Sequence, residues 1–222
     1  MSKILLVLVF VCLSFSSASA APITKTLAED TLLHPQGDVS GSVKFKGGTS
    51  VTLNEQYEVI SGTLKYYGFL IPASKGFFYF YDKDLHSTLM IFKPDTCPIV
   101  FNARGEVLSG QIGEDASFLI WGSASHATFK KNTYIEFDEQ GYVKTGTIYS
   151  DITFRPLGWR NFLPLDDNAG FILFKGETEV FFGPGGQVSR GTIAKEFKIN
   201  KITYPAGTTL QFSESSDPQI VK

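Results

Sequence analysis

Four stretches of this chain align on a shared glycine, and that self-similarity constrains the fold more than any other feature. They are TSVTLNEQYEVISGTL (Thr49 to Leu64), PIVFNARGEVLSGQI (Pro98 to Ile112), TYIEFDEQGYVKTGTI (Thr133 to Ile148) and TEVFFGPGGQVSRGTI (Thr178 to Ile193). A fifth, TTLQFSESSDPQIV (Thr208 to Val221), keeps the first strand and a turn and stops short of the glycine. The anchors Gly62, Gly110, Gly146 and Gly191 lie 48, 36 and 45 residues apart, so the unit is constant and its connecting segment varies. A looser match extends each unit past its anchor: Thr26 to Gly37, Gln111 to Gly122 and Thr147 to Gly158 share an acid at Asp30, Asp115 and Asp151 and a closing glycine. About five such units account for nearly all of residues 21–222, which therefore read as one β-repeat domain.

Each unit reads as a hairpin. In Ile135-Glu136-Phe137 apolar and polar residues alternate, the period of a half-buried strand. Asp138 to Gly141 suit a type I turn closed by a glycine in the left-handed region, and Tyr142 to Thr145 return as the partner strand. Asn54 to Tyr57, Asn102 to Gly105 and Gly183 to Gly186 occupy the same turn, and Tyr57 is the copy without glycine. That turn is expected to be the most strained or altered. Counted alternately from Val143, Ile148 falls on the solvent face, so the spacing predicts a bulge or bend at Gly146 and at the equivalent anchors. The predicted core stripe is Val51, Leu53, Val59, Phe101, Val107, Ile135, Phe137, Val143, Val180, Phe182, Val188, Leu210 and Phe212. No hairpin of this kind buries its apolar face alone, so neighbours must stack. The expected fold is all-β: tandem β-hairpin repeats forming an extended meander, solenoid or sandwich. The 20 Phe and 9 Tyr beside 2 Trp and 2 Met agree with a strand-rich chain.

The order of a strand, an N/D-x-x-G turn and GxVxxGT resembles the hairpin repeats of bacterial exported proteins and is distantly similar to MORN-type repeats. The Tyr-x-Gly-x-Trp segment of MORN units is absent. The resemblance implies architecture and no activity.

Residues 1–20 read as a secretory signal: Lys3 supplies the positive start, Ile4 to Leu13 the short apolar run and Ala18-Ser19-Ala20 the small-residue cleavage site. The mature chain then begins at Ala21, in an exported protein that is periplasmic, at the cell surface or secreted. The apolar run is about half the ~20 residues a spanning helix needs, and no transmembrane helix is expected in the mature chain. A formal charge of −2 excludes binding of nucleic acid through bulk phosphate attraction. Without Cys12 of the signal, Cys97 is the one remaining cysteine, so no internal disulfide forms and stability must come from packing.

Chemistry-bearing motifs are sparse. Asp30, Asp115, Asp151 and Glu196 recur once per unit; a ladder of carboxylates would suit calcium, but the Asp-rich nonapeptides of calcium-binding β-rolls are absent and a turn-forming Asp bonded to its own backbone is the preferred reading. His34, His86 and His126 fall in no metal-ligand spacing, no GxSxG elbow is present, and Gly183 to Gly186 lack the Lys-Ser/Thr of a phosphate loop. No catalytic, metal or cofactor residue is assigned. The candidate contact residues lie in the two longest connections: Tyr66, Tyr67, Phe78, Tyr79 and Tyr81 in one, Arg155, Trp159, Arg160 and Phe162 in the other. Their rings combine apolar area with a polar handle and fit a protein, glycan or lipid partner. The expected function is a non-catalytic exported binding or structural protein. The alternatives are a polysaccharide-acting enzyme on a β-solenoid and an outer-membrane-associated β protein.

Overall fold

A computed structural model describes residues 21–37, 41–74, 77–78, 89–123, 125–161, 170–199, 202–215 and 217–221. The chain is all-β. The signal reading of residues 1–20 lies outside the described residues.

Among the described residues, eleven strands form one antiparallel sheet in which each sheet strand bonds to the next along the chain. In order they are Ile23–Thr26, Ser50–Leu53, Val59–Gly62, Ile99–Phe101, Val107–Gln111, Tyr134–Phe137, Val143–Thr147, Glu179–Phe182, Val188–Thr192, Thr209–Gln211 and Gln219–Ile220. Between alternate neighbours the chain leaves the sheet and makes a short outer hairpin before returning. These hairpins pair Thr31–Leu33 with Val43–Phe45, Gly68–Leu70 with Met90–Phe92, Ala116–Ile120 with Ser125–Phe129, Ile152–Phe154 with Ile172–Phe174, and Phe197–Ile199 with Ile202–Tyr204. Phe77–Phe78 adds a third strand beside Ala116–Ile120.

The core lies between the sheet and the outer hairpins. All thirteen residues of the predicted stripe are buried. Phenyl rings from the outer hairpins meet rings of the sheet edge to face: Phe118 on Phe137, Phe129 and Phe154 on Phe182, Phe174 on Phe212. Such pairs add about 0.5–1.5 kcal/mol each beyond the area they bury.

The parity change near each anchor glycine is present, but it sits two residues earlier than the spacing suggested. Phe137 pairs with Val143 and Glu136 with Thr145, which leaves Lys144 as the extra residue. Ile60, Leu108 and Ser189 are the extra residues of the corresponding hairpins. The position has a physical reason. The valine ahead of the bulge turns its backbone toward the outer layer: Val59 N–H donates to the His34 carbonyl while the Val59 carbonyl accepts from Gln36, at 2.7 and 3.0 Å. Val107 bonds Ile71 and Ala73, and Val188 bonds Arg155 and Leu157, in the same way. The outer residue skipped between these partners is a proline each time, Pro35, Pro72 and Pro156, which has no N–H to leave unpaired.

The anchor glycines therefore stay in the ladder, Gly146 between Ile135 and Val180, and do a different task. A Cβ built on Gly146 would lie 2.6 Å from the Phe129 ring; on Gly62 it would meet Phe45 at 2.8 Å, on Gly110 Phe92 at 3.0 Å and on Gly191 Phe174 at 2.8 Å. Each of these phenylalanines also bridges backbone to backbone with the residue two beyond its glycine, as Phe129 does with Ile148. The closing glycines Gly37, Gly122 and Gly158 make a second set of close approaches. They lie against the turns at Ala103 to Gly105, Gly186 and Gln187, and Ser213 and Glu214, where a Cβ would come within 2.1–2.5 Å of backbone atoms.

In the turns, one side-chain oxygen accepts two backbone N–H groups: Asn54 from Gln56 and Glu58, Asn102 from Arg104 and Glu106, Asp138 from Gln140 and Tyr142. The residue closing the turn is left-handed in each, Gly105 at φ 76°, Gly141 at 86° and Tyr57 at 62°. A left-handed conformation costs an L-residue with a Cβ roughly 1–2 kcal/mol, so Tyr57 carries the strain that its sequence position implies.

Two outcomes follow. In urea unfolding, Gly146→Ala is expected to lower stability by about 2 kcal/mol through overpacking and Phe129→Ala by about 3–5 kcal/mol. The double variant should cost less than their sum, because the shortened side chain vacates the space the new methyl needs; additivity within about 0.5 kcal/mol would show that ring and glycine do not share a contact. Tyr57→Gly should raise stability by about 0.5 kcal/mol, relief of strain outweighing the entropy of glycine, whereas Gly141→Ala should lower it by about 1 kcal/mol. Equal signs for the two would refute the strain argument.

Candidate binding surface

Strand alternation places the first surface. In Thr31–Leu33 and Gly68–Leu70, Leu33 packs against the core and Leu70 is buried in it, so Leu32 and Phe69 project outward. Tyr66 and Tyr67 follow the bridge that ties Phe45 to Leu64 and reach the same side. Leu32, Tyr66, Tyr67 and Phe69 are 64%, 60%, 54% and 63% exposed and line one open groove of about 490 Å³. Lys44, opposite Leu32 in the hairpin register, holds its ammonium 5.8 Å from the centre of the Tyr66 ring. Ser42 lies in the groove and hydrogen-bonds His34 Nε2 at 3.2 Å. The groove thus offers apolar area with two phenols, a hydroxyl and an ammonium at its margins. Its described lining contains no carboxylate.

Outside the groove lining, Asp30 accepts the Gly47 N–H at 2.9 Å and the ammonium of Lys65, the residue before Tyr66, at 3.0 Å. Asp115 and Asp151 likewise accept the N–H groups of Lys131 and Gly176, both at 2.7 Å. These three aspartates therefore bind backbone, as their turn-forming chemistry suggests. The partner is not their own turn but the far end of the outer hairpin, 16 to 25 residues away, where the two strand ends come together. Among the described residues, no group of three or more His, Cys, Asp or Glu side chains is gathered where it would hold a metal ion.

The second expected surface is more deeply packed. Trp159 opens a short 3₁₀ turn, Trp159–Asn161, and is half-buried against the core. Gly170, at φ 91°, lies so close to the indole that a Cβ there would come within 2.3 Å of it. The Arg155 guanidinium lies 5.0 Å from the centre of the Trp159 ring and 4.6 Å from that of Phe171, and the Arg160 guanidinium 4.9 Å from Trp159. Arg155 and Trp159 form a stacked buttress, and Arg160 is the exposed member.

Among the described residues, the Tyr66 groove and the recess beside Trp159 share no lining residue. The Phe78 backbone pairs with Ser117, but its side chain lies outside the described residues, as do Tyr79, Tyr81 and Phe162. Leu32 and Phe69 belong to the groove although neither is among the expected contact residues. Phe69 is legible from the alternation against Leu70; Leu32 comes from a different unit, and only the packing of one outer hairpin beside the next brings it there. Cys97 is a half-buried free thiol.

Compared with protein-family models, with curated proteins and with solved structures, the chain matches none. No helix among the described residues is long and apolar enough to cross a membrane.

Asp30 gives the fold a pH signature. The Gly47 N–H first, and then the Lys65 ammonium, hold its carboxyl below the ordinary value of 3.8. A carboxylate whose pKa falls on folding stabilises the fold while ionised, and that contribution is lost as pH drops through its folded value. The melting temperature of the wild type should therefore exceed that of Asp30→Asn by a constant margin from pH 7 down to pH 5, and the margin should shrink below pH 3.8. A margin that persists unchanged in acid would contradict the charge-assisted role.

Proposed function

We propose that this chain is a tandem β-hairpin repeat protein, exported, that acts without catalysis as a binding module, and that the groove around Tyr66, Tyr67, Phe69 and Leu32 is its contact surface. The observation that carries the reading is the convergence of four large apolar side chains, each more than half exposed, on one groove, whereas other exposed apolar residues such as Tyr57, Tyr149 and Ile220 stand outside its lining. Exposed apolar side chains scattered singly need no explanation, but a contiguous group rimmed by polar ones marks a contact site. The recurring bulge, the four glycine–phenylalanine contacts and the recurring Asx turns support the repeat, and the resemblance to exported hairpin repeats supports export.

A glycan chain is the partner that best suits the groove. A pyranose presents an apolar C–H face to an aromatic ring and hydroxyls to its surroundings, and the tyrosines, Ser42 and Lys44 meet both needs in a shallow, open site. A folded protein partner would require a larger surface of about 800 Å² per side.

Tyr66→Ala, Tyr67→Ala and Phe69→Ala are combined in one variant and compared with the wild type on an array of polysaccharides and oligosaccharides, with Tyr149→Ala as an exposed aromatic control. Glycan binding by the wild type that falls at least tenfold in the triple variant and survives in the control is the expected result. Binding that persists in the triple variant at unchanged melting temperature would remove the groove as the contact surface, and failure of the wild type to bind any glycan would remove that partner class.

A further inference from the structure

A second, smaller recess of about 190 Å³ lies beside Trp159, lined by Gly158, Trp159, Arg160, Asn161, Gln187 and Glu214. It is below the ~300 Å³ at which drug-sized pockets begin, and it suits a single small polar ring rather than an extended ligand. Three separate segments build it: the 3₁₀ turn Trp159–Asn161, the residue before strand Val188–Thr192, and the turn after strand Thr209–Gln211. The first and third are locked together. Gly158, at φ 71°, lies against the Ser213 carbonyl where a Cβ would come within 2.1 Å, and the Asn161 amide donates to the Glu214 carbonyl. The recess is thus shaped by backbone contacts and does not depend on a ligand to form.

Arg160 lines the recess with its guanidinium 4.9 Å from the centre of the indole, and Arg155, outside the lining, holds a second guanidinium 5.0 Å from the same ring. Among the described residues neither is paired with a carboxylate, and Arg155 Nε is buried without an acceptor. Buried donors of this kind are uncommon, and an uncompensated pair of cations favours the approach of an anion. Glu214 and Gln187 line the same recess as Arg160, and among the described residues Glu214 forms no ion pair with it. A simple inorganic anion would use the arginine and be repelled by the glutamate. A neutral sugar would use the glutamate and the amides and leave the cations uncompensated. A sugar that carries a carboxylate uses all of them.

We propose that this recess binds one uronic acid unit. Its carboxylate sits on Arg160 within the field of Arg155, and its hydroxyls donate to Glu214 and bond the Gln187 amide. Among the described residues the site shares none with the Tyr66 groove, so its test stands or falls by itself.

The sequence holds two tryptophans, and Trp121 is exposed and meets the Tyr142 ring edge to face, so Trp121→Phe leaves Trp159 as the reporter. The fluorescence of that variant is titrated with D-glucuronate, D-glucose and acetate. Saturable change with glucuronate, at least tenfold weaker binding of glucose and of acetate, and at least tenfold weaker glucuronate binding after Arg160→Gln are expected, with Arg160→Lys intermediate. Glucose binding as tightly as glucuronate would overturn the role of charge. Acetate binding as tightly would reduce the site to a carboxylate site and overturn the sugar. No saturable change, or an Arg160→Gln variant that melts and binds as the parent does, would overturn the proposal outright.

Discussion

A phenyl ring laid on a bare glycine joins the two layers of this molecule, and most of the remaining architecture is arranged around that contact. Phe45, Phe92, Phe129 and Phe174 are each fully buried against an anchor glycine of the sheet. A side chain at the glycine would hold the layers apart by the thickness of a methyl group and break the backbone bonds that stitch them. Those bonds flank the ring: Lys130 N–H reaches the Thr147 carbonyl and Tyr149 N–H the Thr128 carbonyl, both at 2.8 Å, and the same pair of bonds recurs around the other three rings. A ring that packs and a strand end that bridges are thus one device. The bulge completes it, because shifting parity ahead of the glycine lets the valine before it, the glycine and the isoleucine or leucine after it all face inward.

Much of this fold was legible in the sequence, and the reasons are local. Alternation in Ile135-Glu136-Phe137 reports a half-buried strand because side chains on a strand alternate with period two, and an Asx residue followed by a glycine reports a turn because both act within four residues. The parity conflict between Val143 and Ile148 was equally visible, but its resolution was not. A bulge and a corner satisfy the same count, and only the non-local need of Val59, Val107 and Val188 to bond the outer hairpins places the extra residue early. The phenylalanines that cover the glycines were hidden for the same reason. Each lies 17 or 18 residues from its glycine along the chain, beyond the reach of any periodicity.

The proposed contact surfaces were legible only in part. Tyr66 and Tyr67 stood out by density, and they are exposed because the turn that carries them follows directly on a strand end pinned by the Leu64 bridge. The same density at Trp159 had the opposite outcome. Gly170 gives up its side chain to receive the indole and Arg155 stacks on it, so an aromatic residue in a long connection became a buttress. Composition cannot separate these cases, since a ring serves equally as a wall or as a surface. What separates them is whether a small residue elsewhere in the chain makes room for the ring.

The end of the sheet at strand Ile23–Thr26 shows the same logic in reverse. Lys25 pairs with Val51 as Gly110 pairs with Ile135, so a lysine stands where the other strands hold the anchor glycine. No ring lies on it among the described residues, and a long side chain is tolerated there. Tyr57 stands at a glycine position of the nearest turn, and none of Gly37, Gly122 and Gly158 reaches it; those three lie on turns further along the sheet. Among the described residues, both departures from glycine thus fall where no close neighbour from the outer hairpins is present, and at Tyr57 the left-handed backbone is borne as strain. The lysine has a further effect, because a charge on the inward face of an edge strand opposes the pairing of that edge with another chain. At the sheet glycines, then, the bare position is kept where a phenyl ring must come close, and at the edge strand, where no ring comes among the described residues, a charged side chain takes its place.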